Sequence, residues 1–273
     1  MPCSSCSSRR RNQGELMTNY SITSLYSGSK GNSVLIESEN AKILIDAGKS
    51  ARALCKALAE IDKTIEEIDA IFITHEHTDH IGALEVLLKK HKIPVHIVGI
   101  SANKLLMRRK EIFEESLCLH TPIFTVNVGN MKITSFPTPH DSEYSVGYRI
   151  EIGETRIGYA TDIGYITEEI KGALSGCESV VLECNHDEKM LMEGPYPYDL
   201  KLRIKSNRGH LSNRACAEFV SDLCFIGTKN ILLAHLSEEN NDPNLAFDEV
   251  WSAISDETIN LKIASQYQPT KLI

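Results

Sequence analysis

Residues 72–82 read Phe-Ile-Thr-His-Glu-His-Thr-Asp-His-Ile-Gly, which places three imidazoles, His75, His77 and His80, and the Asp79 carboxylate within six positions. Imidazole and carboxylate are donors that zinc, manganese and iron accept. The run follows Ala70-Ile71-Phe72-Ile73, a short apolar stretch of the kind that forms a buried strand. A tight turn after a rigid strand can aim His75 and His77 at one cation and Asp79 and His80 at a second nearby. The alternative is a polar loop on a solvated edge, which rarely concentrates histidine in this way.

The same arrangement recurs along the chain. Asp46 follows Ile43-Leu44-Ile45, His140 follows an apolar run closed by Pro137-Thr138-Pro139, and Asp162 ends a hairpin that turns at Gly153. Glu183 follows Val180-Val181-Leu182, and His235 follows Ile231-Leu232-Leu233-Ala234. Side chains at strand ends are held rigidly, as a two-metal site requires. Asp46 is placed to orient a metal-binding His through its second ring nitrogen. His186 stands three positions past Glu183, at the site's edge or in a structural role, and His210 lies in the loop Arg208-Gly209-His210. His91 and His96 have no ligand-type partners at useful spacing and read as structural.

The elements that must position these residues alternate between strand and helix patterns. Strands are expected at 20–26, 33–36, 42–45, 94–98, 123–128, 131–136, 144–152, 155–160, 179–182, 230–234 and 259–263. Helices are expected at 50–61, 82–91, 101–115, 167–174, 198–206, 213–223 with Ser212 as N-cap, and 242–254 with Pro243 in the first turn. That mixture defines an α/β protein. Ser27-Gly28-Ser29-Lys30-Gly31-Asn32 reads as a hairpin turn, or alternatively as a nest of backbone N–H groups facing an anion.

At 273 residues, 42% hydrophobic and 24% charged, the chain suffices for one α/β domain, expected at 17–273. Residues 1–16, with a lone CxxC at Cys3 and Cys6, read as a disordered extension, with Met17 opening the folded part. No apolar run is long enough to cross a bilayer and no signal-peptide core is present, so a cytoplasmic location is expected. The eight cysteines show no disulfide framework, and Cys55, Cys177, Cys216 and Cys224 sit among apolar neighbours. A net charge of −8 excludes a surface coated in positive charge, so a nucleic-acid partner would be gripped by a local patch. Lys201, Arg203, Lys205, Arg208 and Arg214 are the candidates for substrate contact, unless they are a solvated helix face.

Taken together, His-x-His-x-Asp-His at positions 75–80 and the strand-end residues resemble the metallo-β-lactamase superfamily over almost all of 17–273. That resemblance implies a four-layer αβ/βα sandwich, two mixed β-sheets flanked by helices. Carried over by position, it implies two divalent cations (Zn2+, Mn2+ or Fe2+), one on His75, His77 and His140 and the other on Asp79, His80 and His235. Asp162 would bridge them and Asp46 would support the site from behind. Ser-Gly-Ser-Lys-Gly-Asn-Ser at 27–33, Leu-Glu-Cys-Asn-His-Asp at 182–187 and Gly-His-Leu-Ser at 209–212 look like the YycJ (WalJ) branch, which implies exonuclease action on DNA. Glu183 and His210 match the acid and histidine that ribonuclease Z enzymes place beside the scissile phosphate. Twenty-two positions from His140 to Asp162 leave no room for the tRNA-gripping arm of long-form ribonuclease Z. Seventy-three from Asp162 to His235 leave none for a β-CASP domain.

The chemistry then expected is phosphodiester hydrolysis. Two cations lower the pKa of a bridging water, the nucleophile, and neutralise the phosphoryl oxygens. Asp79 would bind metal and accept the water's proton. His210, oriented by Glu183, would clamp the phosphate or protonate the leaving oxygen, a role typically worth about 10²- to 10⁴-fold. The alternatives are a hydrolase of a lactone, thioester or cyclic phosphate using the same centre, and a non-catalytic metal-dependent binding module.

Overall fold

The computed structural model describes residues 20–273. The expectations for residues 1–16, for Cys3 and Cys6 and for Met17 lie outside them. Six strands come first: β1 Tyr20–Tyr26, β2 Ser33–Ser38, β3 Lys42–Ile45, β4 Ala70–Phe72, β5 Val95–Val98 and β6 Leu117–His120. Then follow β7 Thr125–Val128, β8 Met131–Thr138, β9 Ser145–Ile152, β10 Thr155–Ala160, β11 Ser179–Glu183, β12 Asn230–Ala234, β13 Asn260–Ile263 and β14 Thr270–Lys271.

They form two seven-stranded sheets, ordered β14-β1-β2-β3-β4-β5-β6 and β13-β12-β11-β10-β9-β8-β7. The two are built alike. Each begins as an antiparallel meander and continues as four parallel strands, β3 to β6 in one and β10 to β13 in the other. Parallel strands are covered on both faces and so become continuous apolar runs, as in Ser179–Glu183, where every residue is buried.

Three apolar layers make the sandwich. Ile36, Ile45, Phe72, Tyr148, Ile150, Val181 and Leu232 interleave between the sheets. On the outer face of the first sheet, Leu54, Leu58, Leu84 and Leu105 come from the helices Ala51–Ala59, Leu84–Leu88 and Gly99–Phe113. Outside the second, Ile170, Phe219, Val220 and Val250 come from Glu168–Leu174, Asn213–Ile226 and Pro243–Ala253. Each fully buried Leu, Ile or Phe contributes roughly 1.5–3 kcal/mol, so the strand tips rest on a stiff base. Ser50 and Ser212 cap their helices by accepting from Ala53 N and Ala215 N, satisfying backbone donors that the first turn leaves free. Among the described residues no helix is long and apolar enough to cross a membrane.

Several element boundaries depart from the pattern reading. The helix expected at 82–91 is shortened to Leu84–Leu88, and a separate turn, Thr78–Ile81, precedes it. Its hydrogen-bond ladder is interrupted from outside: His80 O accepts from Ala47 N at 2.7 Å, and Ala83 N donates to Ala47 O at 2.8 Å. The short strands β6 and β14 were not anticipated. β6 is an edge strand of four residues, Leu-Cys-Leu-His, none of them fully buried. Cys177 and Cys216 are buried, but Cys55 and Cys224 are only partly so.

Candidate metal centre

Parallel strands of both sheets end at one edge, and the residues just past their ends converge there. Asp46, Asp162 and His235, the first or second residues after β3, β10 and β12, all have left-handed backbones, with φ of 63°, 57° and 57°. Asp and His are among the few residues enriched in that conformation. Held by the surrounding structure, such outliers cluster at functional sites. The turn redirects each side chain from the sheet face to the sheet rim.

The rim side chains form four overlapping groups whose donor atoms lie within 4.8 Å of one another: His75–His77–His140; Asp79–His80–His235; His75–His80–Asp162; and Asp162–Glu183–His210–His235. Asp162 joins them. Its oxygens lie 3.3 Å from His80 Nε2 and 3.6 Å from both His140 Nε2 and His235 Nε2. Asp79 Oδ2 is 3.2 Å from His80 Nε2 and 3.5 Å from His235 Nε2.

The far sides of the His75, His80, His140 and His235 rings are already occupied. Asp46 Oδ2 takes the Nδ1–H of His80 at 2.8 Å, while Thr74 donates its N–H to Asp46 at 2.8 Å and its hydroxyl at 3.0 Å. Thr74 Oγ1 in turn lies 3.0 Å from His75 Nδ1. His140 Nδ1–H is 3.1 Å from Gly209 O, and His235 Nδ1 is 3.1 Å from Glu183 Oε1. With Nδ1 committed as donor, each of these rings turns an Nε2 lone pair toward the cluster.

Lone pairs facing carboxylate oxygens at 3.2–3.6 Å repel unless positive charge lies between them. His75 Nε2, Asp162 Oδ2 and His235 Nε2 are buried with no hydrogen-bond partner among the described residues, a costly condition for polar atoms. The field agrees. Burial opposes charge on His80 and His235, yet the Asp79 and Asp162 carboxylates override it and raise both. Burial alone would raise Asp79 and Glu183, yet the facing imidazoles hold both well below the usual carboxylate range. A nitrogen and oxygen donor set with orphaned buried atoms and a strongly negative field fits divalent cations.

Some supports carried no local signal in the sequence. Asn32 Nδ2 stands 3.3 Å from both Asp79 Oδ2 and His80 Nε2, and Ser27 Oγ accepts from His235 N at 2.7 Å. The loop at 27–32 is thus a hairpin turn that braces the cluster. Gly48 lets it close, since a Cβ there would fall 1.9 Å from Asp79 O. Asn185 Nδ2 donates to His235 O at 2.8 Å. Glu76 is buried and accepts from Glu143 N at 3.0 Å and Lys104 Nζ at 2.9 Å, tying the His140 loop to the first sheet. His210 Nδ1 is 2.7 Å from Glu183 Oε1, and its ring stacks on His235 at 5.2 Å. His186 is buried, and burial lowers its pKa to about 4.

Of the basic stretch, Arg203, Lys205, Arg208 and Arg214 are exposed, and Lys201 alone is buried. Lys201 is buried and donates to Met192 O at 2.8 Å. Arg203 is paired with Asp141, and Arg208 donates to His140 O and Ser142 O. Arg214 faces Glu218 at 3.2 Å. An ammonium on a short helix with one packed face is drawn to an uncapped carbonyl, so Lys201 serves the fold. Lys205 stays exposed.

Imidazole and carboxylate clusters at the rim of an αβ/βα sandwich define a metal-dependent hydrolase. The chain belongs to the metallo-β-lactamase superfamily, as a YycJ-like member: residues 41–236 match the beta-lactamase superfamily domain. It is 31% identical over 246 residues to the Exodeoxyribonuclease YycJ of Bacillus anthracis, covering 90% of this chain and 93% of that one. It is 36% identical over 241 residues to the Exodeoxyribonuclease WalJ of Streptococcus pneumoniae serotype 2 (strain D39), covering 85% and 86%. Among solved structures it is similar to the metallo-beta-lactamase fold protein YhfI from Bacillus subtilis, with a TM-score of 0.70 and 18% identity over 92% of this chain and 99% of that one. At that identity the likeness speaks for the fold.

Proposed function

We propose that the chain is a phosphodiester hydrolase dependent on two divalent cations and that it acts on DNA as an exonuclease. The observation that carries this reading is the Glu183–His210 pair at the edge of the cluster. Glu183 is fully buried, and His210 is 21% exposed, open to a substrate. Burial opposes a charge on His210, but Glu183 and then Asp162 override it and raise its pKa. A lactone or thioester carries no charge before attack, whereas a phosphodiester presents both an anionic oxygen that a cationic imidazole can clamp and a poor alkoxide leaving group that it can protonate.

His75, His77 and His140 would hold one cation and Asp79, His80 and His235 the other, with Asp162 shared. Zn2+, Mn2+ and Fe2+ all suit the donor set. When bound, the pair supplies an activated water and neutralises charge on the phosphoryl oxygens. Asp79, 24% exposed, takes the proton that the attacking water loses. His210 gives its proton to the departing oxygen as the phosphorus–oxygen bond breaks, and Glu183 keeps the ring aligned. Asp46 and Thr74 fix the tautomers of His80 and His75. The relatives named exodeoxyribonucleases support DNA as substrate and attack from an end.

The test is a panel in Mn2+ and Zn2+ using end-labelled single- and double-stranded DNA, RNA, a lactone and a thioester. DNA shortened stepwise from an end, with an apparent affinity that falls steeply with salt, is the expected result. Turnover of the lactone or thioester without cleavage of any nucleic acid would overturn the reading.

A further inference from the structure

A cavity of about 430 Å³ opens beside His210, whose ring forms part of its wall. Leu211 and Phe219 line it, Tyr165 stands at its rim with 47% of its surface exposed, and His186 completes it. His186 is 2% exposed, and its Nδ1 has no hydrogen-bond partner among the described residues. The ring is held there by backbone. His186 pairs in parallel with Ser212, and Asn213 N donates to His186 O at 2.9 Å. The segments carrying Glu183 and His210 are therefore zipped together, and the cavity lies against that seam. A buried nitrogen without a partner costs about 1–3 kcal/mol, so its retention points to a ligand that supplies one.

The charges around the cavity select the ligand. Glu188, Glu218 and Asp222 contribute to its lining; Glu218 is engaged by Arg214 at 3.2 Å, while Glu188 and Asp222 form no ion pair among the described residues and repel a phosphate. Lys171 is engaged by Glu168 at 2.9 Å, so it does not offset them. A neutral planar ring with N–H donors and ring-nitrogen acceptors is the better match. The carboxylates accept from exocyclic amino groups, His186 meets a polar ring edge, and Tyr165 offers a face for stacking. The volume lies in the range of small-ligand sites.

We propose that this cavity is a base-binding subsite for the nucleoside that adjoins the scissile phosphate, with His186 and Tyr165 as its recognition residues. The proposal rests on the phosphodiesterase reading above and adds a place for the substrate's neutral part. Lys205, exposed on the same lining, forms no ion pair among the described residues and is the cation available to the next phosphate of the strand.

Two measurements test it on the metal-supplemented full chain. Calorimetric titration with 2′-deoxyadenosine 5′-monophosphate and with 2-deoxyribose 5-phosphate isolates the base, and stacking predicts at least about tenfold tighter binding of the nucleotide. Hydrolysis of the p-nitrophenyl ester of 2′-deoxyadenosine 5′-monophosphate, compared in kcat/KM with methyl p-nitrophenyl phosphate, gives the same ratio in turnover. Both ratios should collapse toward one in His186→Ala and, with the exposed residue as the variant least able to disturb folding, in Tyr165→Ala. A wild-type ratio near one, or ratios retained in both variants, would overturn the subsite while leaving phosphodiester hydrolysis in place. Hydrolysis of neither phosphate ester, with a thioester cleaved, would overturn the phosphodiesterase reading and the subsite with it.

Discussion

The two sheets share a strand order and a parallel half, yet they supply the rim in different ways. The first gives Asp46 from the end of β3 and His75, His77, Asp79 and His80 from one turn after β4. The second gives His140, Asp162, Glu183, His210 and His235 from five separate points spread over 96 positions. In the first half one turn sets the geometry, braced by Asp46, Thr74 and Asn32. In the second, parallel register does so: β11 pairs with β10 from Ser179 to Leu182 and with β12 from Ser179 to Glu183, which brings their ends nearly level. A local motif and a sheet edge thus reach the same rigidity by different means.

The contrast can be broken at the residue where the halves meet. Asp162 touches rings from both, so Asp162→Ala should lower activity on the order of 10⁴-fold, the several kcal/mol that cation-borne charge stabilisation supplies. Bound metal, measured by mass spectrometry, should fall with it. His77→Ala, at a half-buried position in the first half, should cost less on both readouts. Equal losses would mean that Asp162 holds no more of the site than His77 does and is not the group the two halves share.

His210→Ala separates chemistry from binding within the second half. The expected result is a fall of about 10²- to 10⁴-fold in kcat on a DNA end, with metal stoichiometry retained, since the three-ring and Asp79–His80–His235 groups survive without it. Unchanged turnover would remove His210 from the mechanism. Asp46→Asn probes the support of the first half. It keeps the volume but leaves His80 Nδ1 without its carboxylate, and metal affinity in a chelator competition should fall about 10- to 100-fold.

How legible each half was follows from the same contrast. His75 to His80 lie close enough in the chain for spacing alone to show their purpose. Asp46, Asp162 and His235 could be found because each ends an apolar run, but their left-handed backbones show in residue type only as a weak preference of Asp and His. Ser27 and Asn32 read as part of a hairpin turn or of a backbone nest, and neither reading reveals their side-chain roles, since their partners His235 and Asp79 are 208 and 47 positions away. Lys201 misled because its helix places a lysine inward and Leu202 outward. Charge counts cannot show which lysine meets an open carbonyl. The 82–91 helix failed for a like reason, its ladder being cut by Ala47, far back in the chain.

The smallest effect belongs to a part of the first sheet that carries histidine without chemistry. His96 stacks on Phe72 at 4.6 Å, His120 follows at 5.2 Å and Phe124 at 4.1 Å, and His96 Nδ1 lies 2.9 Å from His120 Nε2. Burial, and then the neighbouring His120, pushes the His96 pKa down to about 4 from 6.5. Between those values the unfolded chain binds a proton that the folded chain refuses, so stability should be full above pH 6.5 and decline as the pH falls toward 4. The loss should be on the order of 1–2 kcal/mol, read as a shift in urea midpoint. His96→Gln should flatten the curve across that window relative to the parent. A curve of unchanged slope would place the acid sensitivity among the rim histidines, and the two halves would then differ in stability as well as in how they build the site.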